Sequence, residues 1–201
     1  MKNYLFFVSL GAALFFSFST QAQINASDVK NGDIVFIITP SGQGKAIQLA
    51  THSKYTHVGI IFIENGVPVV YHAVEPVSKN TLQEFIGMSV GGEYVIKRLR
   101  DQAPLTNGAV ATMRNEAQQQ LGKHYDLYFG WGDDRLYCSE YVWKLYNHAL
   151  HLEVGPLKPL RSFDLSDRIV KQIMQKRYGN DIPLDEKMIS PGDMFNSELL
   201  E

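Results

Sequence analysis

The stretch "THVGIIFIENGVPVVYHAV", Thr56–Val74, decides the fold. Two β-rich runs flank Asn65-Gly66, the pair preferred in a two-residue type I′ hairpin turn. With those two residues as the loop, Glu64 faces Val67, His57 faces Val74 and Gly59 faces His72. Paired residues share a sheet face and faces alternate along a strand. His57 and His72 are therefore expected on one face as diagonal neighbours, roughly 7–8 Å apart at the backbone and within reach through their rings. Gly59 has no side chain, which leaves room beside both rings. Glu75 falls opposite Thr56 on the other face. The bland alternative is two strand histidines with no shared task, and a slip of one residue would reverse the assignment.

Outward from the hairpin, "NGDIVFII" (Asn31–Ile38) reads as a buried strand opened by a turn. "SGQGKAIQLATHS" (Ser41–Ser53) reads as a Gly-rich loop and a short helix, and "EYVIKRL" (Glu93–Leu99) as a further strand. "LTNGAVATMRNEAQQQLG" predicts a helix with Thr106 or Asn107 as N-cap and Gly122 at C′. "YDLYF" (Tyr125–Phe129) predicts a short extended piece. "SFDLSDRIVKQIMQK" predicts a helix ended near Gly179, and "ISPGDMFNSELLE" a last turn packed on the body. An antiparallel sheet and helices in separate blocks give an α+β domain.

Composition narrows the setting. The N-terminus carries Lys2, then the apolar run "YLFFVSLGAALFFSF", then "STQAQ" with Thr20 and Ala22 as small residues. This is the pattern of a signal peptide, residues 1–22, cut before Gln23. The expectation is export to the periplasm or outside, with one domain over residues 23–201 and no lasting membrane anchor. No cysteine follows the apolar run, so a lipid anchor there is excluded. The formal charge is −2. Without a basic surplus, neither nucleic acid nor an anionic membrane is implied as a partner.

Cys138 is the chain's single cysteine, so it has no partner for an intrachain disulfide. In "RLYCSEYVWKLYNHAL" (Arg135–Leu150), Cys138, Val142, Leu145 and Ala149 form one helical stripe, the mark of a buried face. The turn signal Gly132-Asp133-Asp134 places Cys138 in the helix's first turn instead of its middle. A thiol there feels the positive end of the helix dipole, which favours the thiolate. The free N–H groups of that turn can also hold an oxyanion. Taken alone, these residues leave nucleophile and buried core residue equally open.

"YTHVGIIF", "VVYHAVEPV" and "GKHYDLYFGWGDDRLYCSEYVWKLY" together resemble the YiiX-like permuted papain-like family, relatives of the NlpC-type cell-wall cysteine peptidases. Its anchors are "SKYTHVGI" and "YCSE", and the likeness runs from about Asn31 to Tyr146 and on to the "SPGDM" tail. The resemblance implies a circularly permuted papain-like, NlpC-like fold and a peptidase or amidase. Cys138 would be the nucleophile, His57 the base, His72 the orienting residue and Tyr55 an oxyanion-site tyrosine. It implies no cofactor or metal. The exported location adds peptidoglycan-derived peptides as substrates. Many permuted relatives have Glu where this chain has His72; a neutral His can fix the base's tautomer but stabilises an imidazolium less. Tyr128, Phe129 and Trp131 in "YFGWGDD" are candidates for the substrate cleft, with core packing expected for at least two of the three.

Two further readings carry other chemistry. Relatives of lecithin retinol acyltransferase share the permuted fold and act on lipid acyl groups; a long apolar stripe or a second membrane anchor near the site would favour them, and the sequence shows neither. A non-catalytic binder is the other, including a zinc site of His52, His57, His72 and Cys138, whose spacing fits no compact metal motif.

Overall fold

The computed structural model describes residues 25–201; the expected signal peptide, residues 1–22, lies outside them. In chain order the elements are β1 (Ile34–Ile37), α1 (Gly42–Thr51), β2 (His57–Glu64), β3 (Val67–His72), β4 (Ser78–Thr81), α2 (Leu82–Gly87) and β5 (Tyr94–Lys97). There follow α3 (Asn107–Gln119), β6 (His124–Tyr125), β7 (Arg135–Leu136), α4 (Cys138–Leu150), β8 (Lys158–Pro159), α5 (Arg168–Tyr178), β9 (Lys187–Met188) and α6 (Pro191–Phe195).

The sheet has five strands in the order β4-β3-β2-β1-β5, with every pairing antiparallel. Asn65 and Gly66 both have positive φ, 51° and 81°, as a type I′ turn demands. The register follows from that turn: Glu64 faces Val67 and Ile60 faces Tyr71. β4 was not expected. Its sequence "SKNT" has no apolar alternation, because an edge strand buries little.

The alternation of β2 and β3 divides the interior in two. Val58, Ile60, Phe62, Val69 and Tyr71 face a large core under α3 and α4. Ile61 and Val70 face a smaller one, closed by Leu82 and Phe85 of α2. Helix α4 is buried from Cys138 to Tyr146. Burying each large apolar side chain there contributes on the order of 1.5–3 kcal/mol. The predicted helices recur: Thr106, an expected N-cap, accepts from the Ala109 N–H, and Asp167, not singled out in the sequence, caps α5 by accepting from the Ile169 N–H. Gly122, expected at C′, lies one residue beyond it, since α3 caps at Gln120 and unwinds through a Leu121 N–H to Gln118 carbonyl bond.

The C-terminal tail reaches back to the body. Leu200 bridges to Leu99, and Glu201 exchanges backbone hydrogen bonds with Arg98 at 3.0 and 2.8 Å. Ile189, at the head of the tail, accepts from the Ser139 hydroxyl at 2.7 Å and donates its N–H to the Tyr137 hydroxyl at 3.2 Å. The tail thus braces the start of α4, where the cysteine lies.

Candidate active site

Cys138 is the first residue of α4. The helix begins because Tyr137 is extended and Glu140, at the third helical position, accepts the Tyr137 N–H at 3.1 Å. The thiol is 2% exposed. Burial pushes its pKa up to about 11, against the pull of the Val58 N–H, Ser139 and its own N–H. The helix dipole was expected to favour the thiolate; with water excluded, desolvation of the anion outweighs those donors. The resting thiol is protonated.

The two histidines meet as the hairpin register requires. His57 Nε2 and His72 Nδ1 are 2.8 Å apart, with the rings steeply tilted at 75°. Phe85 stacks on His57 and meets the His72 ring edge-on. Burial, then the neighbouring His72, lowers the His57 pKa to about 3. Burial also lowers that of His72, although its hydrogen bond to Asn80 opposes the shift. Both rings are therefore neutral bases at neutral pH. With the register settled, Glu75 is no alternative: it holds His124 at 2.7 Å and the Tyr125 N–H at 2.9 Å.

Gly59 does not open room for a visitor, as its sequence position suggested. A Cβ there would meet Val70 Cγ1 at 2.4 Å, Tyr71 O at 3.0 Å and His72 Cβ at 3.2 Å. Strand β3 itself fills the space, and glycine permits that approach. Gly59→Ala is expected to destabilise the fold by about 1–3 kcal/mol through overpacking, measured by urea denaturation. An unchanged midpoint would mean the hairpin yields freely.

Cysteine and histidines meet at one strand start. The Cys138 sulfur accepts from the Val58 N–H, the amide that follows His57. Val58 points into the Cys138 core, and the His57 ring beside it stacks on Phe85. Among the described residues no hydrogen bond joins the thiol to the imidazole, and His57 Nδ1 has no partner. Catalytic hydrogen bonds commonly tighten only once substrate is bound.

Other expected positions shift. Tyr55 is buried between Phe36 and Phe195, with ring centroids at 5.7 and 4.3 Å, and none of its described contacts reaches Cys138. The phenol beside the sulfur is that of Tyr125, whose pKa is raised by burial first and then by Cys138. Its hydroxyl accepts from Gln43 Nε2 at 2.9 Å, and Gln43 Oε1 accepts from Arg177 at 2.5 Å. Sequence reasoning missed this chain because its members come from α1, β6 and α5. Tyr128 is exposed and packs on Tyr178, while Trp131 packs on Tyr137 and Trp143. Neither lines the space at Cys138; of the aromatics in that loop only Phe129 does.

That space is a cavity of about 90 Å³ between α1, α5 and the tail, with Cys138 in its wall. Ile47, Leu160, Phe163, Val170 and Met174 make its lining strongly apolar. Of the zinc candidates, His52 lies apart, exposed and paired with Asp164 at 3.3 Å. Among the described residues no three His, Cys, Asp or Glu side chains converge as metal ligands.

The family model described as "Permuted papain-like amidase enzyme, YaeF/YiiX, C92 family" matches residues 28–201. The chain belongs to this family. The order of elements agrees with permutation, since the histidine hairpin precedes the cysteine helix. The chain is 41% identical over 200 residues to the uncharacterized protein YiiX of Escherichia coli K12, covering 100% of this chain and 94% of that one. It also superposes on a crystal structure described as metalloprotein yiiX from Escherichia coli O157:H7, DUF1105. The TM-score is 0.81 at 42% identity, over 86% of this chain and 94% of that one. The fold is the permuted papain-like one, and the kind of chemistry is that of a cysteine amidase.

Proposed function

We propose that the protein is an exported cysteine hydrolase that cleaves amide bonds through a thioester on Cys138. The observation that carries this reading is the thiol at the first position of α4, held against the amide of the residue after His57. In the reaction, His57 Nδ1 takes the thiol proton as sulfur attacks the carbonyl carbon. The first-turn N–H groups of α4 receive the oxyanion, and the nearby Tyr125 hydroxyl supplies a further donor. The amine leaves with the proton returned by His57. Water, deprotonated by the same nitrogen, then attacks the thioester, and Cys138 leaves as the thiol with the free acid released. A neutral base beside a protonated thiol suits this concerted transfer; no resident ion pair is required.

Peptidoglycan-derived peptides are the proposed substrates, on the strength of the export pattern at residues 1–22. The apolar lining beside Cys138 favours a second reading, in which the group carried on sulfur is a lipid acyl chain from an amide or ester. The solved relative is described as a metalloprotein, but a metal does not fit this site. The histidines spend two ring nitrogens on each other and a third on Asn80, and no carboxylate joins them, so no step is routed through one.

The test is mass spectrometry of muropeptides and of N-acyl amides of graded chain length after incubation with the protein, with the intact protein weighed in parallel. New acid and amine products, with a transient mass increase equal to the acyl group, are expected. Release of products without any protein-bound acyl mass, even on rapid quenching, would overturn the thioester route. Chain-length preference decides between the two substrate classes.

A further inference from the structure

The sequence left open whether a histidine at position 72 can serve where relatives carry a carboxylate. The structure holds a carboxylate, Glu84, beside the residue that His72 bonds next. Asn80, on β4, faces Val70, and His72 faces Ser78. Asn80 is thus the diagonal neighbour of His72, and its Oδ1 lies 2.9 Å from His72 Nε2. Glu84 occupies the third position of α2, where it accepts the Thr81 N–H at 2.8 Å and the Thr81 hydroxyl at 2.9 Å. Its carboxyl is held below the usual carboxylate range by the Thr81 N–H, then the Thr81 hydroxyl, with the Asn80 side chain adding to them.

That neighbourhood orients the amide. Asparagine carries an acceptor and a donor on one planar group, and shape alone does not distinguish them. A carboxylate can only accept. The Asn80 NH₂ therefore turns to Glu84, and its Oδ1 turns to His72. An oxygen facing His72 Nε2 requires a proton on that nitrogen, so His72 Nδ1 is bare. A bare His72 Nδ1 at 2.8 Å requires the proton of His57 on Nε2. The lone pair of His57 is then on Nδ1, the nitrogen with no other partner. Reversing the Asn80 amide would reverse every step and place a proton on His57 Nδ1, which could then take none from a thiol.

We infer that Asn80 is a positioning residue which, anchored by Glu84, sets the tautomers of His72 and His57 and so leaves His57 Nδ1 free as the base. The inference rests on the hydrolase reading for its purpose but not for its geometry. The relay also gives the imidazolium formed during the reaction a path to a negative charge, through His72 and Asn80 to Glu84, without burying a carboxylate beside the thiol.

The experiment is nitrogen NMR of the ¹⁵N-histidine-labelled full chain at neutral pH. Long-range couplings to the ring protons separate the two neutral tautomers, and His57→Gln and His72→Gln assign the signals. Both rings are expected as the Nε2–H form in the wild type. Asn80→Asp, which keeps an acceptor at that place, should preserve both tautomers. Asn80→Leu should give mixed tautomers at both rings, with kcat reduced about tenfold at unchanged KM, and Asn80→Asp should restore most of the rate. A wild-type His57 carrying its proton on Nδ1, or tautomers unchanged in Asn80→Leu, overturns the inference. If Asn80→Leu does not fold, the wild-type spectrum alone decides. Tautomers as expected in a protein that never acquires an acyl group would instead sink the hydrolase reading and leave the relay standing.

Discussion

Cys138→Ala is expected to lower amide turnover by about 10⁴-fold or more, to the background of a binding pocket without a nucleophile. The expectation follows from the route: with no sulfur there is no thioester, and no second thiol exists in the chain to replace it. His57→Ala should fall to about the same floor, because an unassisted buried thiol with a pKa near 11 supplies almost no thiolate at neutral pH. The double variant should then be no worse than either single one, since the two groups act as a unit. His72→Ala leaves nucleophile and base in place and removes only the orienting contact, so it should cost less, about 10²-fold. Single-turnover rates for the four variants on one amide substrate check the series. Full activity in Cys138→Ala would remove the mechanism. Strictly additive losses would mean that His57 and Cys138 act in different steps. The substitution itself should be benign to the fold, as it trades one small buried side chain for another.

The sequence made the hairpin legible because a single local signal, Asn65-Gly66, sets turn type, register and face together. Once those are given, the meeting of His57 and His72 is a consequence of strand geometry. The start of α4 was legible for a similar reason: Gly132-Asp133-Asp134 ends one path of the chain just before the apolar stripe begins. What escaped depends on contacts between distant segments. Strand β4 has no apolar pattern of its own and exists because β3 offers an unpaired edge; Asn80 was invisible with it. The cavity wall draws on α1, α5 and the tail, which no local pattern links. Tyr55 and Tyr125 show the same limit. A tyrosine two residues from His57 looked close to Cys138, but its ring is claimed by Phe36 and Phe195. Tyr125 reaches the sulfur's surroundings because β6 pairs with β7 just before Cys138. The thiol's raised pKa was likewise hidden, since burial depends on the whole packed interior and the dipole argument on one helix only.

The largest effect on stability is expected from Lys144→Met. Glu140 is fully buried one turn from Lys144, and the two are 2.8 Å apart. Lys144 also donates to Asp133 Oδ1 at 2.8 Å and to the Gly132 carbonyl at 2.5 Å. Removing the lysine leaves a buried carboxylate without its counter-charge, which costs about 3–5 kcal/mol. Adding Glu140→Gln should recover most of that loss, because neither charge then needs solvation. The pH dependence gives a second check. Burial, opposed by Lys144, raises the Glu140 pKa from 4.5 to about 7. A carboxyl with a raised folded pKa contributes stability that is complete below pH 4.5 and is lost as pH rises through 7. His57 works in the other direction. Its pKa is lowered from 6.5 to about 3, so its contribution is present above pH 6.5 and is lost as pH falls toward 3. Between about pH 4.5 and 6.5 the two opposing slopes partly cancel in the wild type, each worth about 1.4 kcal/mol per pH unit. Glu140→Gln removes one of them. Its stability, followed by urea denaturation at several pH values, should therefore fall more steeply on acidification than that of the wild type. The Lys144→Met deficit should shrink by pH 5, where Glu140 is protonated in the fold. Parallel pH profiles for wild type and Glu140→Gln would show that this carboxyl does not titrate in that window, and the ion pair at the foot of the cysteine helix would then have to be replaced by a neutral or permanently charged arrangement.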